Sequence, residues 1–384
     1  MKIEKILSYI AVAAAASALT FLLFVPKEEN PYLRKLQELE SIVDGEFVEL
    51  EYDKTLMYDA AAAAMVDSLG NRWSYYISAE EYSAYENMMD NTYVGIGVTI
   101  VTREDGYIDI LSVEPDGPSQ EAGIQPGDIL VAVEGNDIAQ LTLSEVREMI
   151  SGEKNTKVQL RLRRGEEILD LSVYRRAINS IITTGTMLEG NVGLVQIANF
   201  ESRSKSETIE VIEELLEQGA QALIFDVRYN PGGYTRQMVE LLDYLLPEAV
   251  VFRSQDRYGN EDVKKSDAQC LELPIAVLIN GDTYSAAELF AVAMQENEAG
   301  IIVGEQSTGK CNYQYTYRLS DGSAVVLSAG TYTSPNGVNL EGKGVTPDVV
   351  VPVDDTMYWQ IYSGYIAAQD DPQVQAALNA LLAQ

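Results

Sequence analysis

The chain has 384 residues, 46% of them apolar, enough to bury more than one core, which excludes a disordered chain. Its 59 acidic against 27 basic residues give a formal net charge of −32, and no basic cluster stands ready to neutralise phosphates, so nucleic-acid binding is excluded. With no histidine and two cysteines, no Cys/His metal spacing can form, the carboxylates show no calcium-loop pattern, and neither metal nor cofactor is expected.

Residues 6 to 25 form an uncharged run of 20 residues, about the length that spans a bilayer. Lys2 and Lys5 precede it, and Glu28 and Glu29 follow Lys27, a bias that keeps the N-terminus in the cytoplasm and puts the body outside. The expectation is a transmembrane signal-anchor over 1–26 with an extracytoplasmic body. A cleaved signal peptide is the alternative, with Ala15 to Ala18 as small residues, but the apolar run continues past them through Phe24 and Val25. Residues 27–92 read as a helical arm, alanine-rich near Asp59 to Leu69 and then tyrosine-rich from Trp73 to Glu81. Its expected role is packing or homodimerisation.

From 93 to 176 short strands alternate with one helix, and the run Gly117-Pro118-Ser119-Gln120-Glu121-Ala122-Gly123-Ile124-Gln125-Pro126-Gly127-Asp128-Ile129-Leu130 resembles the heart of a PDZ domain. Such a domain adds a peptide to a sheet edge and holds its terminal carboxylate on backbone amides. Gly95, Ile96 and Gly97, just before the apolar strand Val98 to Val101, form the candidate carboxylate loop. No helix follows them, which excludes a phosphate loop.

Residues 177–352 alternate strand and helix patterns, giving an α/β core. Ser204-x-x-Glu207 reads as a capping box opening a helix with Ile209, Ile212, Leu215 and Leu216 on one face, stopped by Gly219. Of two stretches, Ala222 to Val227 leads into a glycine pair that lets a backbone approach a substrate closely, and the second, Ile275 to Asn280, is a short apolar run that suits a strand buried on both faces. After the second, Ser285 opens a helix carrying Leu289, Val292 and Ala293, so the N–H of Ala286 is free to face a developing oxyanion. A serine nucleophile needs a base, and imidazole is absent. Lys310, 25 residues on in a Gly-Lys turn, is the remaining base. It must lose its charge, its pKa falling from about 10.4 to about 7–8, which burial can achieve and surface exposure cannot. Period two from Lys310 through Asn312 puts Gln314 on the same face, placed to orient the amine. Taken singly, Ser285 reads as an N-cap and Lys310 as a surface residue; as a pair they read as a Ser-Lys hydrolase. From 353 to 384 the chain is an acidic helical tail. Cys270 and Cys311 allow one disulfide or two thiols, and the sequence leaves the choice open.

The whole set resembles the carboxyl-terminal processing, or tail-specific, peptidases. The nucleophile motif appears as Asn280-Gly281 through Ser285-Ala286 and Glu288, the base motif as Gly304, Glu305, Gly309, Lys310 and Gln314, and an upstream motif as Asp226, Arg228, Asn230, Pro231, Gly232 and Gly233. Leu340 to Val349 matches the family's closing run. The resemblance implies a crotonase-like peptidase core with an inserted PDZ domain, Ser285, Lys310 and Gln314 as catalytic residues, and the amides of Gly233 and Ala286 as the oxyanion hole. It implies protein or peptide substrates with accessible C-termini. The chain departs from the family pattern at Arg72 to Tyr76, Tyr284, Ala287, Glu296 and Cys311; Tyr284 is placed to narrow the pocket beside the nucleophile. Two other readings are a silent PDZ scaffold, against which the complete Ser285, Lys310 and Gln314 set argues, and a crotonase-like acyl-transfer enzyme, against which the PDZ segment argues.

Overall fold

The computed structural model describes residues 30–49, 51–103 and 105–383. The expected anchor at 6–25 lies outside them, and among the described residues no helix is long and apolar enough to cross a membrane. The chain divides after Ala61 into two compact units. In the first, helix Pro31–Glu46 is capped by the Asn30 side chain, and its Glu40 and Asp44 pair with Lys54 at 3.3 and 2.8 Å.

The second unit is built on a six-stranded sheet in the order Thr183–Leu188, Val192–Ile197, Ala222–Asp226, Ile275–Ile279, Ile301–Gly304, Val349–Val350. The first pair is antiparallel and the rest are parallel. Ala222–Asp226 and Ile275–Ile279 are buried along their whole length, as the apolar run of the second predicted for a strand covered on both faces. Leu223, Phe225, Val277 and Ile279 pack with helices Ser204–Glu217, Thr235–Leu245 and Ala286–Glu296 on one face. Ala222, Ile224, Ala276 and Leu278 pack on the other with Val374, Ala377, Leu378 and Leu381 of helix Pro372–Leu382.

That last helix corrects the reading of 353–384 as a tail: it is helical, and it forms one layer of the core. Its N-cap, Asp371, accepts from the N–H groups of Gln373 and Val374, and also pairs at 2.8 Å with Arg228, which forks onto Asp226 at 2.6 Å. All three side chains are nearly fully buried, so each charge depends on the others. A second correction concerns the capping box at Ser204. The N-cap is Arg203, in a left-handed conformation at φ 72°, while the Ser204 hydroxyl is buried without a partner and Glu207 pairs with Arg203. Gly219, at φ 97°, ends the helix as expected.

A second sheet joins Tyr75–Ile77, Ala324–Thr333, Val250–Asp256 and Glu261–Lys265, with Asn312–Arg318 also on Ala324–Thr333. The PDZ-like segment is a separate sheet in the order Val98–Thr102, Ile108–Val113, Ile129–Val133, Lys157–Arg164, Glu167–Tyr174, closed on its own apolar core. Thr92–Gly95 and Arg176–Asn179 pair antiparallel where the segment leaves and rejoins the rest. Within the Gly117 to Leu130 run, Asp128 is buried, held by a two-pronged Arg164 contact at 2.6 and 2.7 Å and by the Gln125 N–H at 2.9 Å.

Asp371→Ala strips the N-cap and leaves Arg228 buried with Asp226 as its one charged partner. It is expected to destabilise the chain by about 3–5 kcal/mol, read from the denaturant midpoint. A loss under about 1 kcal/mol would show that the triad is not structural.

Candidate active site

Ser285 sits where strand Ile275–Ile279 turns into helix Ala286–Glu296, as the sequence predicted. Its backbone is at φ 61°, ψ −125°, a conformation that costs a non-glycine residue about 1–3 kcal/mol and persists only where the surroundings impose it. Those surroundings centre on Glu288, one turn into the helix and completely buried. Its carboxylate accepts from the Ser285 N–H at 3.0 Å, the Ser307 hydroxyl at 2.5 Å, the Gly309 N–H at 2.6 Å and the Lys310 N–H at 2.8 Å. One side chain thus fixes the backbone of both Ser285 and Lys310. The sequence reading placed Glu288 in the motif without a role; its Ser-x-x-Glu spacing behind Ser285 was the available signal.

Lys310 is 9% exposed. Its Nζ lies 4.4 Å from the centre of the Trp73 ring and 5.7 Å from that of Tyr284, whose rings lie 5.7 Å apart. Burial pushes the amine down to about 8, against the opposing pull of the Glu288 carboxylate and with help from the Arg72 guanidinium. The turn carrying Lys310 is tight. A β-carbon on Gly309 would lie 2.7 Å from the nitrogens of Lys343 and Gly344, so the run from Leu340 interlocks with the base loop; the Ser307 hydroxyl also accepts from the Val345 N–H at 2.7 Å. Tyr332, 1% exposed, donates its hydroxyl to the Lys310 carbonyl and contacts the Ser285 side chain.

Gly232 lies against Ser285: a β-carbon there would be 2.7 Å from Cβ of Ser285 and 2.8 Å from the Ala286 nitrogen. The Gly232 N–H is tied to the Asn230 side chain at 2.8 Å, while no described residue accepts from the N–H groups of Gly233 or Ala286. Two free amide donors therefore flank Ser285. Gln314 lines the same cleft, but its amide donates to the Asn312 carbonyl at 2.8 Å and to the Ser328 hydroxyl at 3.2 Å. Strand Asn312–Arg318 begins after Lys310 and bulges between Tyr313 and Gln314, so the even alternation expected between base and amide does not hold, and no hydrogen bond joins Gln314 to the amine.

Gly95, Ile96 and Gly97 lead into the edge strand Val98–Thr102, which pairs on one side only, with Ile108–Val113. Gly97 has φ 73°. Cys270 and Cys311 are free thiols, the second buried and pushed up to about 12 by that burial. Among the described residues no group of three or more His, Cys, Asp and Glu could hold a metal. One cleft of about 2360 Å³ runs from Val94 and Lys154 of the PDZ segment past Trp73 to Ser285 and Lys310. That exceeds the roughly 300–1,000 Å³ typical of small-molecule sites and suits an extended chain. Trp73 and Arg72, read from the sequence as part of a packing arm, are cleft residues.

Comparison with known proteins gives the family. Residues 191–351 match the model of peptidase family S41, and residues 110–164 match that of a PDZ domain. The chain belongs to peptidase family S41. It is 30% identical over 306 residues to the carboxy-terminal processing protease CtpA of Bacillus subtilis, covering 79% of this chain and 66% of that protein, so it spans about two thirds of that relative's length. It is 29% identical over 329 residues to a carboxyl-terminal-processing protease of Synechocystis, covering 84% and 76% of the two chains. A solved structure from Bacteroides fragilis assigned to the S41 proteases shares the fold, with a TM-score of 0.55 at 15% identity over 90% of this chain and 97% of the other.

If burial sets the Lys310 amine, Trp73→Ala should hydrate it and raise its pKa. A base works in its neutral form, whose fraction grows as pH rises through the folded-state value, so the ascending limb of the rate profile should move to higher pH. Loss of the cation–π contact alone, worth about 0.5–2 kcal/mol, would move it lower. A limb displaced downward would contradict burial as the dominant cause.

Proposed function

We propose that the chain is a serine endopeptidase of the C-terminal processing type, acting through Ser285 and Lys310. The observation that carries this is the Glu288 carboxylate, which holds the nucleophile and base backbones together beside two unused amide donors. In this reading the neutral Lys310 amine takes the Ser285 hydroxyl proton as Oγ attacks the scissile carbonyl carbon. The N–H groups of Gly233 and Ala286 receive the oxyanion, and the lysine ammonium returns the proton to the departing amine. Water, deprotonated by the same amine, then attacks the acyl ester, releasing the carboxylate product and restoring the serine. Gln314 is assigned the orientation of the Lys310 amine once substrate tightens the cleft.

Gly95, Ile96 and Gly97 are proposed to hold the substrate's terminal carboxylate, with the tail added along Val98–Thr102. The substrates are accordingly proteins or peptides with accessible C-termini. Residues 6–25 are proposed as a membrane anchor that leaves the body extracytoplasmic, supported by the flanking charges, and the 27–92 arm as a packing or homodimer element.

Incubation of the full chain with an unstructured protein, followed by mass spectrometry of the cuts, tests the central reading. Ser285→Ala and Lys310→Ala should each remove nearly all cleavage, and the double variant should be no worse than either, because the pair acts as a unit. Cleavage surviving in Lys310→Ala would sink the dyad. Amidating the substrate's C-terminus should act mainly by raising KM; equal cleavage of amide and acid across several apolar tails would remove terminal capture from the PDZ segment.

A further inference from the structure

Among the acidic side chains lining the cleft, one is buried, and the cleavage steps leave it unused. Glu201 follows Phe200, whose backbone bridges Gly233, and a β-carbon on Gly233 would lie 2.7 Å from the Glu201 nitrogen. Glu201 therefore sits beside the proposed oxyanion glycine. It is 9% exposed and lines the same cleft as Ser285, yet its Oε2 is buried with no hydrogen-bond partner. A buried carboxylate oxygen without a donor is costly, and native structures rarely leave one without a reason.

The surroundings indicate what would relieve it. Burial pushes the Glu201 carboxyl up to about 7, and Lys310 is the charge that draws it back down. Tyr75, Tyr85 and Tyr234 line the same cleft, and each feels the Glu201 charge. An acceptor lacking a donor, among tyrosine rings whose faces attract cations, matches a lysine or arginine side chain. A neutral apolar residue placed there would leave the carboxylate unpaired.

We propose that Glu201 is a specificity-determining residue that recognises a lysine or arginine side chain of the substrate close to the scissile bond. This rests on the peptidase reading. A cation seated on Glu201 also offsets the negative field at Lys310, favouring the neutral amine that the reaction needs.

The test uses the full chain and a peptide whose wild-type cut has been mapped. Each of the three positions on either side of the cut carries lysine, its uncharged counterpart norleucine or glutamate in turn, and kcat/KM is measured at a pH where Glu201 is ionised. At one position the wild type should prefer lysine by about tenfold or more, the scale of a hydrogen bond to a charged group. Glu201→Gln should bring that ratio to about one, and Glu201→Lys should reverse it toward a glutamate-bearing peptide. A flat lysine-to-norleucine ratio at all positions in the wild type, or a preference that survives Glu201→Gln, overturns the proposal. Cleavage of the norleucine peptides that disappears in Ser285→Ala keeps the peptidase reading intact in either case, so the two failures are distinguishable.

Discussion

The site depends on holding one lysine amine out of water while a carboxylate stays close by. Burial lowers the amine's proton affinity, and the nearby Glu288 works against it. The conflict is resolved by where the carboxylate spends its charge. Both of its oxygens accept short hydrogen bonds, and the contact with Lys310 goes to the backbone N–H rather than to the amine. A carboxylate satisfied in this way costs less to bury and organises the loops without claiming the base's proton.

The rest of the core serves that arrangement. The parallel strands deliver two loop ends to one edge, with Ser285 after Ile275–Ile279 and Lys310 after Ile301–Gly304. The Asn230 to Gly233 turn after Ala222–Asp226 closes from the side, and Gly232 is the residue that lets it approach Ser285. The strained Ser285 backbone is held by contacts from three separate segments, so local strain is stabilised by long-range packing. The run from Leu340 to Val345 has a mechanical role here, locking the Ser307 to Lys310 loop from behind. Helix Pro372–Leu382 seals the opposite face of the sheet, and through Asp371 and Arg228 it reaches the strand that ends in the glycine turn.

The parts legible in the sequence were those encoded by local pattern. The wholly apolar five-residue strand Ile275–Ile279, a serine before a helical stripe and a lysine after a glycine each announce themselves within a short window. The chain's lack of histidine then points to the lysine as the proposed base. What escaped was set by contacts between distant segments. Nothing near Trp73 indicates that it faces Lys310, and the bulge beside Gln314 breaks an alternation that the residues alone suggest. Ser204 and Glu207 have capping-box spacing, yet Arg203 takes a left-handed turn and the box does not form. The final helix was readable in principle, since Val374, Ala377, Leu378 and Leu381 follow helical spacing, but the acidic stretch before it disguised the segment as a tail.

Burial of Lys310 should leave a single lysine that loses its proton near neutral pH. The direct measurement is an NMR titration of the full chain labelled with ¹³C at the lysine ε-carbon, with Lys310→Arg assigning the resonance. One lysine, absent from the Lys310→Arg spectrum, should titrate at about 8, while ordinary exposed lysines titrate near 10.4. A spectrum in which every lysine titrates near 10.4 would contradict the account.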